Sequence, residues 1–295
     1  LSCSLDKKSI KLLRAVSRGG WAAPADLAGA ASITEEEIEP RLYALRHSRI
    51  LGPFRAAPFL PLLHGGLWGR YVVRLYKLDI GLEERLVRNL SGLEESIHNA
   101  CFFTKRFPTT SFFCFSRTKE ELKLILREAG VEEEPLEVRS YNFPFSASLS
   151  DEERLLLRTI NSTGQVIPSM LARHVERDTA WVESKLRRLI LHSDNPQGVA
   201  ILRTTIHWYR IDNFIHAHIL LPIEAKERLA VLCRGLEWNS LSWPGESSQT
   251  VPIEVDFRSW GQFAEWRSYL ELAGFPASGF ALFAEERIHA KGFEF

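Results

Sequence analysis

His216 and His218 stand two positions apart in a stretch, 213–221, that reads as a strand. Side chains alternate along a strand, so both imidazoles fall on one face. Paired there, they could shuttle a proton near neutral pH or offer nitrogen to a metal or a haem-like iron; no third ligand has convincing spacing, and ring packing with satisfied nitrogens is the alternative. A third histidine, His98, is followed by Asn99, and Lys105 and Arg106 come shortly after in a loop. Those two cations could hold a carboxylate-bearing ligand by charge-assisted hydrogen bonds. The stretch 101–115 between and beyond them is rich in Phe, which suits a flat apolar cavity or a sandwich core. Glycine-rich phosphate loops, nucleophile elbows and carboxylates paired at catalytic spacing are absent, so hydrolase, kinase and dehydrogenase readings find no support.

These residues must be positioned by something, and composition sets the scale. The chain has 295 residues, room for two to four domains. Hydrophobic residues make up 45% and charged residues 25%, enough to bury ordinary cores. Lys plus Arg equals Asp plus Glu, 37 each, so any attraction to phosphate must come from a local patch. No apolar run is long enough to span a bilayer, and no basic segment followed by a long apolar core marks a secretory leader. Cys3, Cys101, Cys114 and Cys233 lack CxxC spacing. They read as reduced, mostly buried thiols of a cytoplasmic protein that holds no structural zinc.

An internal repeat organises the rest. A shift of 144 positions carries Leu12-Leu13-Arg14 onto Leu156-Leu157-Arg158, Gly20 and Pro24 onto Gly164 and Pro168, and Leu42 and Leu45 onto Leu186 and Leu189. The same shift brings Phe113 onto Phe257 and Ala129-Gly130 onto Ala273-Gly274. It also pairs His98 with Ser242, so whatever His98 does belongs to one half alone.

Each half begins with three helices. In the first, 6–17 carries a helical stripe at Ile10, Leu13 and Val16, a short helix follows at 25–30, and Thr34-Glu35-Glu36-Glu37 opens a third with a capping box. In the second half they fall at 151–161, Pro168–Val175 and 179–192, the last capped by Asp178. Tight Gly- and Pro-marked turns between them make a helix-turn-helix. Residues 50–57 and 199–205 suit wings, the first followed by a proline-bearing linker. Thereafter strand and helix alternate as β-α-β-β-α-β: 70–78, 82–90, 96–103, 111–115, a helix capped at Thr118 and ending at Gly130, and Leu136–Phe143. The second set is 213–221, 224–235, 238–243, Thr250–Phe257, 260–274 and 278–287. The expected fold class is α+β, a winged helix-turn-helix plus a ferredoxin-like (βαββαβ) domain in two copies. The boundaries are 1–62, 63–146, 147–206 and 207–295.

The two recognition helices differ in charge. The first opens with four consecutive polar residues, three of them Glu, then adds Glu39 and Pro40. Carboxylates suit a helix N-terminus but would face phosphates of the same sign. The second offers Thr179, Ser184, Lys185, Arg187 and Arg188, flanked by Arg173 and Arg177. These are donors of the kind that reach base edges and phosphates, and equally the kind that forms a solvated basic face.

A helix-turn-helix followed by a ferredoxin-like domain resembles the Lrp/AsnC family of regulators. The resemblance is carried by Leu5-Asp6, Ile10, Leu13, Asp26-Leu27-Ala28, Ile33-Thr34, Arg41-Leu42, Leu45, Ile50-Leu51 and Phe54-Arg55-Ala56. It implies a one-chain pseudo-dimer that binds DNA through the second helix-turn-helix and a small effector between its ferredoxin-like domains, with homodimers of pseudo-dimers as a further partner. The chain is also similar to the siroheme decarboxylase branch of that superfamily. Ser96-Ile97-His98-Asn99, Ser111-Phe112-Phe113, Tyr209 with Asn213, and Leu282-Phe283-Ala284-Glu285-Glu286-Arg287 carry this likeness. The Tyr and Arg expected after His-Asn are Ala100 and Cys101 here, and 238–243 replaces a His-Cys-Tyr segment. That branch implies a lyase acting on an iron tetrapyrrole in haem or haem d1 biosynthesis. His98 would then be catalytic, and His98, Asn99, Lys105, Arg106, His216 and His218 would lie near the ligand; no resident cofactor is expected. Winged helices that bind a protein or peptide are a further alternative.

Overall fold

Short polar residues set the helix starts. The Ser150 hydroxyl accepts from the Glu153 N–H at 3.3 Å while the Glu153 carboxylate accepts from the Ser150 N–H at 3.0 Å, a reciprocal cap. Asp178 accepts from the Trp181 N–H at 2.7 Å, Thr118 from Glu121 at 3.1 Å and Ser259 from Gln262 at 3.0 Å. The computed structural model describes residues 4–17, 24–76, 80–90, 93–103, 109–191, 195–240 and 249–287. In the first half the elements are α1 (Lys7–Ser17), α2 (Pro24–Ala31), α3 (Glu35–His47), β1 (Leu51–Pro58) and α4 (Leu60–His64). They continue with β2 (Gly66–Leu75), α5 (Ile80–Asn89), β3 (Glu94–Phe103), β4 (Thr110–Ser116), α6 (Lys119–Glu128) and β5 (Leu136–Phe143). The second half has α7 (Asp151–Thr163), α8 (Pro168–Val175), α9 (Thr179–Leu189), β6 (Ala200–Ile206), β7 (Ile215–Pro222), α10 (Leu229–Leu232), β8 (Glu237–Ser240), β9 (Thr250–Phe257), α11 (Trp260–Leu272) and β10 (Gly279–Arg287). The fold is α+β.

Ten strands form one sheet: eight run in the order β5-β2-β4-β3-β10-β7-β9-β8, and β6 joins them at β10, where Ile206 lies opposite Glu286. Within each half the sheet runs fourth, first, third, second in chain order. The halves are sewn together by the antiparallel pair β3·β10, in which His98 lies opposite Glu286 and Asn99 opposite Glu285. Off this path β1 of the first half pairs with β6 of the second, with Phe54 opposite Thr204 and Pro58 opposite Ala200. Asn161 of α7 clips β1 from the side: its Oδ1 accepts from the Ala56 N–H at 2.7 Å and its Nδ2 donates to the Ala56 carbonyl at 3.2 Å. Gly164 makes the same approach possible. It ends α7 at φ +67°, and a Cβ there would stand 2.5 Å from Pro53.

Alternation along the strands splits the sheet into two faces. One face of β2 and β4 (Tyr71, Val73, Leu75, Phe112, Cys114) packs beneath α5 and α6 through Leu86, Leu90, Leu122 and Leu126. The equivalent face of β7 and β9 (Ile215, Ala217, Ile219, Ile253, Val255, Phe257) packs beneath α10 and α11. The opposite face meets the helices α1–α4 and α7–α9 and the strands β1 and β6, sharing one core that includes Leu13, Leu45, Phe59, Phe115, Leu157, Trp208 and Phe283.

Several sequence expectations are corrected here. The linker after β1 holds a helix, α4, with Leu60, Pro61 and Leu62 buried; Pro61 tolerates a helix's first turn, where its missing N–H is not needed. The helix expected at 224–235 breaks into a 3-10 stretch, Ile223–Arg228, and one α-turn. The helix expected to reach 192 ends at Leu189, where Ile190 turns extended and bridges Ala200. A further 3-10 turn, Trp208–Arg210, precedes β7. Of the strand expected at 238–243, β8 supplies Glu237–Ser240 and the rest lies outside the described residues.

Candidate functional site

The face that looks away from α10 and α11 carries a buried knot of charge. Register places His216 of β7 opposite Asp256 of β9 and His218 opposite Glu254, and all four side chains are buried. His216 Nδ1 lies 2.8 Å from Asp256 Oδ1. Into this patch α1 sends Arg14, buried to 6% exposure, whose Nη1 is 3.0 Å from Asp256 and whose Nη2 donates to Glu254 at 3.2 Å. One guanidinium thus spans two carboxylates, which offsets the cost of removing all three charges from water.

Aromatic rings enclose the imidazoles. Trp208 stacks on His216 at 4.5 Å and 18° between planes, with Phe214 behind it at 5.5 Å. His218 lies 5.5 Å from His216 and 4.2 Å from the ring of Phe283 on β10. The sequence-predicted pairing of His216 and His218 on one face therefore holds. Among the described residues no three His, Cys, Asp or Glu side chains are grouped to hold a metal ion.

Across the β3·β10 seam the same face of the first half carries Arg70 and Arg74 on β2. Arg70 lies 4.9 Å over the ring of Phe113, and on β5 Arg139 lies 5.1 Å over Tyr141. The β3 backbone brings His98 opposite Ser111 and Asn99 opposite Thr110, and Arg74 is opposite Ser111 on the other side. The side chains of His98 and Asn99, and Lys105 and Arg106 altogether, lie outside the described residues.

Beside the knot, a cleft of about 330 Å³ opens between α1 and the end of the sheet. Lys7, Ile10, Lys11, Phe214, Leu236, Glu237, Asp256, Arg258 and Gln262 line it with Gly235. A second groove, about 340 Å³, runs between α3 and α8 and is lined among others by Leu42, Tyr43, Arg46, Ile167 and Met170.

The residues expected to meet DNA are spread over α8, α9 and the turn between them. Arg173, Thr179, Ser184 and Arg187 are exposed. Three others are engaged within the protein: Arg177 pairs with Glu152, and both Lys185 (3.0 Å) and Arg188 pair with Glu153, itself 3% exposed. Lys185 and Arg177 also lie over the Trp181 ring, at 5.5 and 5.8 Å.

Arg14, Glu254, Asp256 and Trp208 were not singled out from sequence. A signal existed for the acids: Glu254 and Asp256 alternate through an otherwise apolar strand with the same period as His216 and His218. Arg14 carried only the hint of a cation inside an apolar helical stripe. Its 144-shift counterpart, Arg158, is exposed, so the sequence match at that position hides two different environments.

No known family profile matches the sequence, and comparison with curated proteins finds no match. Among solved structures the chain is similar to the siroheme decarboxylase NirDL, with 12% identity and a TM-score of 0.42, covering 97% of this chain and 94% of that one. The same enzyme in co-complex with an iron-uroporphyrin III analogue gives 12% identity and a TM-score of 0.40, over 94% and 90%. A transcriptional regulator is similar over 45% of this chain and 91% of its own, with 20% identity and a TM-score of 0.28. A decarboxylase and a transcriptional regulator are thus both among the structures this chain is similar to.

Proposed function

We propose that the chain is two copies of one unit, a winged helix-turn-helix (1–62 and 147–206) followed by a ferredoxin-like domain (63–146 and 207–295). Support comes from the repeat shift of 144, which carries Pro24–Ala31 onto Pro168–Val175. The fourth-first-third-second strand order shared by the halves supports it too. The fused unit binds a flat, polycarboxylated aromatic ligand of the iron-tetrapyrrole class on the shared sheet face and acts on it as a siroheme decarboxylase-like lyase. The observation that carries this reading is the buried Arg14–Asp256–His216 chain beside His218, on the face that also bears Arg70 and Arg74.

The chemistry asks for such a set. Losing CO2 from a side-chain carboxylate breaks a carbon–carbon bond and leaves a carbon that must take a proton. A histidine whose Nδ1 side is fixed by Asp256 is oriented to deliver that proton through Nε2. Arginines hold carboxylates through paired N–H donors. From β2 to β7 is four strand spacings, about 19 Å, so the arginines and imidazoles stand about the width of a large planar ligand apart.

Three features weigh against DNA as the principal partner. The wings β1 and β6 are spent on each other, α1 is tied into the second sheet by Arg14, and Lys185, Arg188 and Arg177 already hold carboxylates. A second reading, an Lrp/AsnC-type regulator with a small effector between its ferredoxin-like domains, is favoured by the exposed Arg173, Thr179, Ser184 and Arg187.

Titration with siroheme, followed in the Soret band, separates them. Binding that shifts the band and weakens in His216→Asn and in Arg70→Met/Arg74→Met is expected; an unshifted band at saturating protein overturns the tetrapyrrole reading. Gel shifts at two salt concentrations test the other. DNA binding that weakens steeply with salt and fails in Arg187→Ala would put the regulator first.

A further inference from the structure

The cleft between α1 and the end of the second sheet lies beside the site proposed above and shares Asp256 with it. Lys7, Ile10 and Lys11 stand at i, i+3 and i+4 on α1 and so share one helix face, which forms one wall. Phe214 and Leu236 add apolar lining, and Arg258 and Gln262 add polar lining. Lys7 is shared with Glu237 at 3.9 Å, both exposed, and Lys11 donates to the Ser32 hydroxyl at 3.3 Å. Among the described residues neither Lys11 nor Arg258 pairs with a carboxylate. The acids of the wall are otherwise committed: Asp256 already serves Arg14 and His216.

We propose that this cleft is a binding site for a small organic carboxylate with an aromatic or apolar body. The anionic group lies between Lys11 and Arg258, and the body lies against Ile10, Phe214 and Leu236. At about 330 Å³ the space suits a ligand of that size and excludes a macrocycle. The occupant would touch both α1 and the second sheet, so it pins the first winged helix to the last domain. It would also stand against Asp256, the carboxylate that orients His216.

Phenylacetate and its uncharged analogue phenylacetamide are the probes, titrated by calorimetry into the full chain. Phenylacetate is expected to bind, and phenylacetamide to bind about tenfold or more weakly, the worth of a charge-assisted hydrogen bond. Lys11→Met and Arg258→Met, changes at the cleft's rim, are expected to lower phenylacetate affinity by a similar factor. Hydrogen exchange should show α1 slowed by phenylacetate in the parent protein and unchanged in Arg258→Met. Equal binding of the two probes, affinity indifferent to both substitutions, or no heat at all would overturn the proposal. Loss of siroheme binding in Arg70→Met/Arg74→Met bears only on the sheet face, and loss of phenylacetate binding in Arg258→Met only on the cleft, so the two sites fail separately.

Discussion

Replacing Arg14 with Met removes a cation that pairs with two buried acids. The side chains of Arg14, Glu254 and Asp256 are 7%, 12% and 3% exposed, so water cannot take over the lost partner. Breaking a buried pair and leaving its carboxylate behind costs about 3–5 kcal/mol. For a chain of this size that lowers the melting temperature by roughly 10 °C. Differential scanning fluorimetry and urea midpoints measure the loss, and hydrogen exchange should place it in α1 and β9. Arg158→Met at the equivalent, exposed position is the control, expected within about 0.5 kcal/mol of the parent. Adding Glu254→Gln and Asp256→Asn to Arg14→Met should recover much of the loss, because no unpaired charge then remains buried. An Arg14→Met effect below about 1 kcal/mol, the worth of an exposed ion pair, would refute the reasoning.

Asp6 caps α1 by accepting from the Ser9 N–H at 2.7 Å and takes two contacts from Arg41 of α3 at 3.0 and 2.9 Å. Partial burial pushes its pKa up, but the Arg41 and Ser9 hydrogen bonds outweigh that and hold it down at about 2. A depressed carboxylate stabilises the fold above its ordinary value and loses that contribution as pH falls through the folded one. Circular dichroism and exchange should therefore show α1 loosening between about pH 4 and pH 2, with Arg41→Met moving the onset to higher pH. Burial pushes the Cys233 thiol up to about 12, so it should resist iodoacetamide at pH 8 in the folded protein and react once denatured. Asn161→Ala strands the Ala56 N–H and carbonyl on β1 and should cost about 1–3 kcal/mol by urea unfolding. A cost near zero would mean that β1 does not depend on α7.

Local chemistry determined most elements from the sequence alone. Thr34, Thr118 and Asp178 were legible as helix starts because a short polar residue beside free N–H groups works the same in any context; Ser150 and Ser259 cap helices in the same way but were not singled out. Pro168–Val175, Leu136–Phe143 and Thr250–Phe257 were legible to the residue, and the alternation that put His216 and His218 on one face is a property of any strand. What α4 and the 3-10 stretch at Ile223–Arg228 show is that short segments follow burial more than pattern. The tertiary structure alone decided that β1 pairs with β6, that β3 meets β10, and that Arg14 crosses 240 positions of chain to Glu254. Such contacts depend on which backbone edges and which faces come to rest together. Neither capping nor periodicity, which act over a few residues, carries information across that separation.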